Sequence, residues 1–411
     1  MAKCFGYAII TLIAMWFWMN SSYSLSAESV FIRLLSIARV SFFKEAKHEN
    51  EYLKSKTLFV NAESEGVQVK NLLGNERIVD RTKIDTLIQL LNLYPSRHRT
   101  LLCDLIFDIP QPVDSAFAKT LSKTPNFYWP TPAEGTSELL KKAVPERNSG
   151  YASYSSSNEW LMLSDGFNKF PLINGDKKSL VLRMYEASVG DTSVFKYGGM
   201  IALHGKRYSN MVIVDESLRS YDIQNDEISM VYPIQQAIDL LKGDDEFSRS
   251  LLKKEYVVIG DFENDIHKTS MGDVAGPLIN MNLYFSLLKE EGRISLSWIV
   301  FVLISLTAII HYSLYAPTPV WMNKLQTFVA NFTGGPIENL IGISILMLSV
   351  SIISFLSFSI KFETVPCAMV INLIFTIRRL WANIKNLPKG LKGWPQRVNF
   401  ILFNHPYKSS L

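Results

Sequence analysis

Leu101–Leu121 reads LLCDLIFDIPQPVDSAFAKTL and combines the features of a buried strand, a turn and a helix. Its first part, Leu101–Ile109, is apolar apart from two aspartates and ends at Pro110, as is typical of a strand buried on both faces of a parallel sheet. Asp114–Lys123 then begins with an N-cap residue and has the composition of a helix. A strand followed directly by a helix is the unit from which parallel α/β sheets are built.

Segments of the same kind lie on both sides of this stretch. Leu58–Ala62 and Asn126–Trp129 are short apolar runs typical of buried strands, and Arg81–Asn92 places its apolar side chains on one helical face. Glu255–Gly260 repeats the buried-strand pattern and leads, after an acidic loop, into a helix over Leu278–Glu290. We therefore predict a mostly parallel central sheet flanked by helices.

The middle of the chain is more irregular and richer in strand patterns. Ser179–Tyr185, Asn210–Val214 and Glu227–Val231 are each predicted to be strands, separated by turn residues. No repeat and no flexible linker divides the region, so residues 28–293 are predicted to form one α/β domain with an irregular, strand-rich middle.

The C-terminal third has the composition of a membrane region. Charged residues make up only 19% of the chain, below the ~25% usual for soluble proteins, and hydrophobic residues make up 48%. Ile294–Leu314 and Asn339–Ile360 lack Asp, Glu, Lys and Arg over 21 and 22 residues, and a spanning helix needs about 20. Thr364–Ile377 is uncharged over only 14, so a span there must recruit Phe362 or lie tilted or at the interface. We predict three transmembrane helices over 294–377.

The two ends of the chain set the expected orientation. Phe5–Met19 is apolar and is followed by small and polar residues as far as Ala27, which is typical both of a signal peptide and of an uncleaved signal anchor over 1–27. The tail 378–411 has seven basic and no acidic residues, and the positive-inside rule then predicts that it is cytoplasmic. With three spans before the tail, residues 28–293 are expected outside the cytoplasm.

Charge and motifs exclude several classes of function. The net charge is only +4, so the chain has no general affinity for nucleic acid. Cys4, Cys103 and Cys367 form no disulfide framework and no zinc-binding pattern. Neither a GxSxG turn nor a Cys–His nucleophile is present. We do not predict an enzyme, an Asp/His-based hydrolase being the least favoured function, and the sequence assigns no cofactor.

Two groups of polar side chains follow the two strands predicted to be central. Asp104 and Asp108 are four residues apart on the first strand and would share a face, near the crevice where open α/β folds bind ligands. Behind the second strand, alternate residues of DFENDIHKT would lie on one side of an extended loop. These residues are Asp261, Glu263, Asp265, His267 and Thr269.

The second group has two functional interpretations and one structural alternative. An acidic cluster with an imidazole can bind a divalent cation, with Asp265 and His267 as candidate ligands, or it can hold a histidine that acts as a pH switch. Parallel strands deliver their following loops to one edge, so we expect Asp265 and His267 to lie near Asp108. The structural alternative is a solvated loop beside a strand-ending aspartate.

The order of these parts resembles the CHASE-two sensor domain, an extracytoplasmic module of bacterial signalling receptors. The similar stretches are Leu101–Leu121, with Asp114 and Ala118 before a short helix, and EYVVIGDFENDIHKTSMGDVAGPLINMNLYFSLL, Glu255–Leu288. The resemblance covers about residues 55–380 and depends on the order of the parts. It implies a sensor in the bacterial inner membrane but no particular ligand. Such domains are usually followed by a cytoplasmic kinase or cyclase, for which no motif is present after residue 377, so any output is expected on another chain.

Two functions follow as expectations. The first is a membrane-anchored extracytoplasmic sensory or ligand-binding protein that signals through its transmembrane helices to a separate partner protein. The alternative is a structural or assembly subunit of an envelope complex, with the same domain as a docking module. The expected partners are the bilayer and a separate protein, with a second copy of this chain as a further candidate and nucleic acid excluded.

Overall fold

A computed structural model describes most of the chain. The described residues are 1–21, 30–35, 44–62, 67–71, 74–94, 100–152, 169–190, 193–213, 218, 223, 230–269, 272–315, 338–361 and 363–385. The chain divides into two compact units. One comprises Met1–Met19, Ser295–Ser357 and Phe362–Leu411, and the other comprises Asn20–Ile294 and Phe358–Lys361.

The elements are numbered in chain order. The strands are β1 Thr57–Asn61, β2 Val67–Asn71, β3 Gly74–Ile78, β4 Thr100–Asp104, β5 Phe127–Pro130, β6 Ser149–Gly150, β7 Lys169–Pro171, β8 Ile173–Asn174, β9 Lys177–Lys178, β10 Phe195–Tyr197, β11 Met200–Leu203, β12 Lys206–Ser209, β13 Met211–Ile213, β14 Val231–Pro233, β15 Tyr256–Gly260, β16 Ile266–Thr269 and β17 Gly272–Ala275. The helices are α1 Ala2–Met19, α2 Lys44–Ser55, α3 Arg81–Asn92, α4 Asp114–Leu121, α5 Glu138–Ala143, α6 Leu180–Val189, α7 Ile234–Leu241, α8 Glu246–Leu251, α9 Gly276–Leu288, α10 Leu296–Tyr315, α11 Glu338–Phe358 and α12 Thr364–Lys385.

A six-stranded parallel sheet forms the centre of the larger unit. Its order is β14-β1-β15-β4-β5-β6, and every pair of neighbours runs parallel. The middle of β15 is in register with its two neighbours, Val258 lying opposite Phe59 and Leu102. The predicted α/β fold with a parallel sheet is confirmed, and so are the central positions of β4 and β15.

Alternation along the strands divides the core into two layers. Val257 and Ile259 of β15 pack with apolar side chains of α3, α4, α5, α7 and α8 on one face. Tyr256 and Val258 point to the other face, where α6 and α9 lie. The sheet is thus buried on both faces, which explains why its strands are apolar without interruption.

The predicted strand Ser179–Tyr185 is wrong, because this segment begins α6. The Ser179 hydroxyl accepts a hydrogen bond from the Leu182 backbone N–H at 3.1 Å, which is an N-cap. Gly190 ends the helix in the left-handed conformation, with φ 69°. A short run of Leu, Val, Met and Tyr is compatible with a buried helix as well as with a strand, and here the cap and the glycine select the helix.

The predicted strand Leu101–Ile109 is confirmed only as far as Asp104. The following residues leave the sheet because Arg81 holds them. Its guanidinium donates to the Ile109 carbonyl at 2.6 Å and lies 5.0 Å from the centre of the Phe107 ring. A buried cation thereby fixes the loop that follows β4.

Other strand predictions have mixed outcomes. Asn210–Val214 contains β13, which pairs with β7 in an antiparallel two-stranded sheet. Most of Glu227–Val231 lies outside the described residues, and β14 begins at Val231. The helix expected to begin at Asp114 is α4, whose N-cap is Val113, so Asp114 lies in its first turn.

The smaller unit is helical. Within the described residues, α1, α10 and α12 are long and apolar enough to cross a membrane, and α11 is apolar over Ile343–Phe358. The Trp298 indole donates to the Ser354 hydroxyl at 2.8 Å and joins α10 to α11. The apolar segment from Thr364 continues as one helix to Lys385 and so includes the first eight residues of the predicted basic tail, the rest of which lies outside the described residues. These helices support association of the chain with a membrane.

The buried pair of Arg81 and Asp114 provides a test of this packing. The two side chains are 2.5 Å apart and almost inaccessible to solvent. Asp114→Leu leaves the Arg81 charge buried without its partner, so we expect the free energy of unfolding to fall by about 3–5 kcal/mol. The double variant Arg81→Met, Asp114→Leu should recover most of that loss, because no unpaired charge remains.

Denaturant unfolding of the full chain in detergent measures both variants. Glu138→Gln is the control, because it removes an exposed pair with Lys141 and should leave the free energy of unfolding close to that of the wild-type chain. A double variant that is no more stable than Asp114→Leu would contradict the role of the buried charge.

Candidate functional site

The site forms where β4 ends beneath α9. Asp104 is the last residue of β4 and lies on the α9 side of the sheet, where Asn280 Nδ2 donates to Asp104 Oδ2 at 2.8 Å. At the other end of β4, Thr100 Oγ1 lies 3.3 Å from the Tyr284 hydroxyl of α9. The two contacts show that α9 runs antiparallel to β4, with its first turns over the carboxyl edge of the sheet. This edge is where ligands of open α/β folds bind.

The loop after β15 brings Asp265 and His267 to the same edge. The loop begins with a turn in which Asp261 Oδ1 accepts from the backbone N–H groups of Glu263 and Asn264, at 2.9 and 2.8 Å. The chain then enters the β16–β17 hairpin, in which His267 Nε2 lies 2.7 Å from Asp265 Oδ1. The hairpin thus presents a carboxylate and an imidazole as one hydrogen-bonded pair.

Asp265 also contacts the first residue of α9. Its backbone carbonyl accepts from the Gly276 N–H at 2.8 Å. A Cβ on Gly276 would lie only 2.0 Å from Asp265 Oδ2, so only glycine permits this approach. The carboxylate therefore lies against the N-terminal end of α9, where the helix dipole favours negative charge.

Asp104 has a strongly shifted pKa in this environment. Its partial burial and then the negative charge of Asp265 raise the pKa of its carboxyl group to about 7, against the opposing effects of Asn280 and His267. Asp104 contacts Asn280 and Asp265 lies against Gly276, so both carboxylates lie at the first two turns of α9, and His267 is bonded to Asp265. Asp104, Asp265 and His267 are called the Asp104 cluster below.

The geometry of Asn280 favours the neutral form of Asp104. The Asn280 side chain is fully buried, and its Oδ1 has no hydrogen-bond partner in the described part of the chain. A protonated Asp104 carries an O–H donor, so a neutral carboxyl group and the amide can form two hydrogen bonds instead of one. An ionised Asp104 leaves the amide oxygen without a donor, which is costly in a buried position.

The other predicted site residues have local roles. Asp108 lies on the exposed loop after β4, with its backbone carbonyl against Gly135. Because β4 ends at Asp104, the two aspartates do not share a strand face as predicted, and the carboxylate that meets Asp265 and His267 is Asp104. Asp261 holds its turn, and Thr269 Oγ1 donates to the Gly272 carbonyl at 3.1 Å, closing the hairpin.

Asn280 is the functional residue that the sequence analysis did not assign to the site. The signal was present, because Asn280 is one of two asparagines in a mostly apolar helix, and buried amides are almost always hydrogen-bonded. Pattern alone does not identify the partner, which is 176 positions away in the sequence.

The described residues contain no group of three or more His, Cys, Asp and Glu side chains that could hold a metal ion. Asp265 and His267 provide two ligands, and structural metal sites use more. Cation binding at this pair stays a prediction. No family model, no curated protein and no solved structure matches this chain.

The pKa of Asp104 predicts how stability depends on pH. In the folded chain the carboxyl group keeps its proton up to about pH 7, whereas an unfolded aspartate loses it near pH 4. The stabilisation is therefore complete below about pH 4 and is lost as the pH rises through 7. We expect the free energy of unfolding to fall by about 2–3 kcal/mol between pH 5 and 8 through this group.

Asp104→Asn should abolish this part of the pH dependence, because the amide cannot titrate. Asp108→Asn is the matched control and should keep the wild-type pH dependence, since the Asp108 carboxylate is exposed on the loop that follows β4. Urea unfolding of the full chain in detergent at several pH values measures the effect. If the free energy of unfolding of Asp104→Asn falls with pH as steeply as that of the wild-type chain, Asp104 is ionised throughout this range.

Proposed function

We propose that the chain is a membrane-anchored sensory protein whose α/β domain responds to protonation of the Asp104 cluster and signals through its membrane helices to a separate partner protein. One observation carries the proposal. Helix α9 contacts the Asp104 cluster at its first turns, and its last turn leads within a few residues to the apolar helix α10.

Helix α9 is suited to transmit a displacement. It has 13 residues, which corresponds to a length of about 20 Å, and Gly276–Leu287 are all buried. Its far end is fixed by Glu290, which pairs with Lys206 of β12 and with Arg293. A close-packed helix moves as a unit, since interiors resist compression. A shift at Asn280 is therefore felt at the entrance to α10.

The cluster offers two states with different contacts to α9. Neutral Asp104 matches both polar atoms of the Asn280 amide. Ionised Asp104 repels Asp265, which lies against Gly276. A proton thus changes the interactions at the first two turns of α9, and a ligand shifts a conformational equilibrium only through such differential contacts. Among the described residues, Asp265 and His267 are the charged groups that act on Asp104.

The orientation in the membrane is part of the proposal. The unopposed positive charge of the tail supports a cytoplasmic tail, and an odd number of apolar segments between the domain and the tail supports a domain on the opposite side of the membrane. The domain would then lie on the outer side of a bacterial inner membrane. This arrangement, together with the α/β sheet, is what the resemblance to CHASE-two sensors implies, and family membership is proposed on the same grounds.

Hydrogen exchange at the junction of α9 and α10 tests the signalling route. In the full chain in lipid nanodiscs, we expect residues 286–298 to exchange several-fold faster in one protonation state of the cluster than in the other. Wild type and Asp104→Asn are compared at each pH between 5.5 and 8, so the intrinsic effect of pH on exchange cancels.

Asp108→Asn should follow wild type at every pH, because that carboxylate lies outside the cluster. Identical exchange at the junction in wild type and Asp104→Asn, with the pH-dependent stability intact, would mean that the cluster titrates without signalling. The alternative function, a structural or assembly subunit of an envelope complex, would then be favoured.

Reporter fusions test the proposed orientation. A fusion at residue 150 should be active only with a reporter that works outside the cytoplasm, and a fusion at residue 411 only with a cytoplasmic reporter. The physical reason is the retention of the basic tail on the inner side. A cytoplasmic signal at residue 150 would contradict the orientation and the proposed sensing of external acid.

A further inference from the structure

A small antiparallel sheet of the larger unit exposes two aromatic side chains. Phe195 and Tyr197 of β10 are 70% and 78% exposed. They are two residues apart on a strand and therefore lie on the same face. On the opposite face, Ile201 of β11 and Tyr208 of β12 are buried in the core. The sheet is thus covered on one side and open on the other.

The register of the sheet defines the composition of the open side. Phe195 pairs with Ala202, which pairs with Arg207, and Tyr197 pairs with Met200, which pairs with Ser209. The face comprises a pair of exposed aromatics, two partly exposed apolar residues and an exposed guanidinium. We call it the aromatic face: Phe195, Tyr197, Met200, Ala202 and Arg207.

The aromatic face lies beside the chain segment that follows α1. Ser209 Oγ donates to Asn20 Oδ1 at 3.0 Å, and a Cβ on Gly199 would lie 2.7 Å from Asn20 Cγ. Asn20 directly follows Met19, the last residue of α1. Ser209 belongs to the same side of the sheet as Tyr197, so Asn20 is bonded to the side of the sheet that carries the aromatic face.

The edge of β12 that does not pair with β11 is hydrogen-bonded to the segment that precedes α10. The Ile294 N–H donates to the Arg207 carbonyl at 2.7 Å, and Tyr208 forms an antiparallel bridge with Arg293. One residue earlier, the Gly292 N–H donates to the carbonyl of Ser359, which directly follows α11, at 3.0 Å. The sheet is therefore hydrogen-bonded directly to Asn20, which follows α1, and to Ile294, which precedes α10. Through the neighbouring Gly292 it is also connected to Ser359, which follows α11.

We infer that the aromatic face rests on the bilayer that these helices enter, with Phe195 and Tyr197 at the level of the lipid headgroups. Chain continuity supports the bilayer, rather than a protein partner, as what covers the aromatic face. Asn20 and Ile294 are each within two residues of a helix apolar enough to span, and Ser359 directly follows α11, which is apolar over Ile343–Phe358, so structure bonded to these residues lies close to the interface. Aromatic side chains are enriched at that depth, and arginine extends its charged end to the headgroups. The inference depends on the proposed membrane anchoring but not on proton sensing.

Nitroxide labels in the full chain test the inference. The three native cysteines are buried, so a cysteine placed at an exposed position is labelled selectively. The variants are Phe195→Cys and Tyr197→Cys, with Ile106→Cys as the control. Ile106 is 66% exposed and follows β4 at the carboxyl edge of the large sheet. Each labelled chain is reconstituted in phosphatidylethanolamine–phosphatidylglycerol vesicles, and its collisions with oxygen and with a water-soluble nickel chelate are measured by electron paramagnetic resonance.

The expected result is a reversal of accessibility between the two regions. Labels at 195 and 197 should collide more with oxygen, which concentrates in lipid, and the label at 106 should collide more with the nickel chelate. Nickel-dominated collisions at all three positions would overturn the inference. Loss of both kinds of collision at 195, with dipolar broadening that disappears on dilution with unlabelled chain, would assign the face to a second copy and also overturn it.

A flotation assay separates this outcome from failure of the anchoring itself. If the chain is released from vesicles by alkaline carbonate, the anchoring is wrong. If it stays with the vesicles while the labels at 195 and 197 remain in water, only the role of the aromatic face is wrong.

Discussion

Helix α9 is buried along Gly276–Leu287, so each polar side chain that it carries needs a partner inside the domain. Asn280 binds Asp104, Asn282 forms two hydrogen bonds with the backbone of Leu218, and Tyr284 contacts the Ser188 hydroxyl. These bonds fix the rotation and the register of α9 against the sheet. They also hold the Asp104 carboxyl group against the buried Asn280 amide, whose Oδ1 has no hydrogen-bond partner in the described part of the chain. A structural requirement of a buried helix has thereby produced a titratable site.

The same helix connects two regions with different chemistry. At its first turn, the loop after β15 supplies a carboxylate and an imidazole, which the parallel sheet delivers to the edge where β4 ends. At its last turn, Glu290 binds Lys206 and Arg293, beside the segments that lead into the apolar helices. The aromatic face belongs to this second region. Helix α9 thus runs from the Asp104 cluster to the segment that leads into α10.

The sequence predicts the parts of this arrangement that depend on local pattern. β4 and β15 are found because strands buried on both faces are continuously apolar, and α3 because its apolar side chains share one face. The segment from Ser179 is missed because an apolar run of that length fits a strand or a buried helix, and a serine cap decided the outcome. Asp108 was preferred over Asp104 as the partner of Asp265 because nothing local shows that Arg81 draws the chain out of the sheet after β4. The Asn280–Asp104 bond joins distant positions, and only the packing of α9 reveals it.

Linkage provides the most direct test that α9 couples the two ends. If protonation of Asp104 changes the junction, then a change at the junction must alter the affinity of Asp104 for its proton by the same free energy. Glu290→Gln weakens the ion pairs with Lys206 and Arg293 at the far end of α9, a helix about 20 Å long. This length exceeds the ~8 Å Debye length at physiological salt, so the change in charge acts little on Asp104 directly. Infrared difference spectroscopy of the full chain in bilayers follows the Asp104 carboxyl group, identified by its loss in Asp104→Asn. We expect Glu290→Gln to shift the titration midpoint of Asp104 by about 1–2 pH units, the equivalent of a coupling of about 1–3 kcal/mol. A midpoint identical to that of the wild-type chain would contradict it.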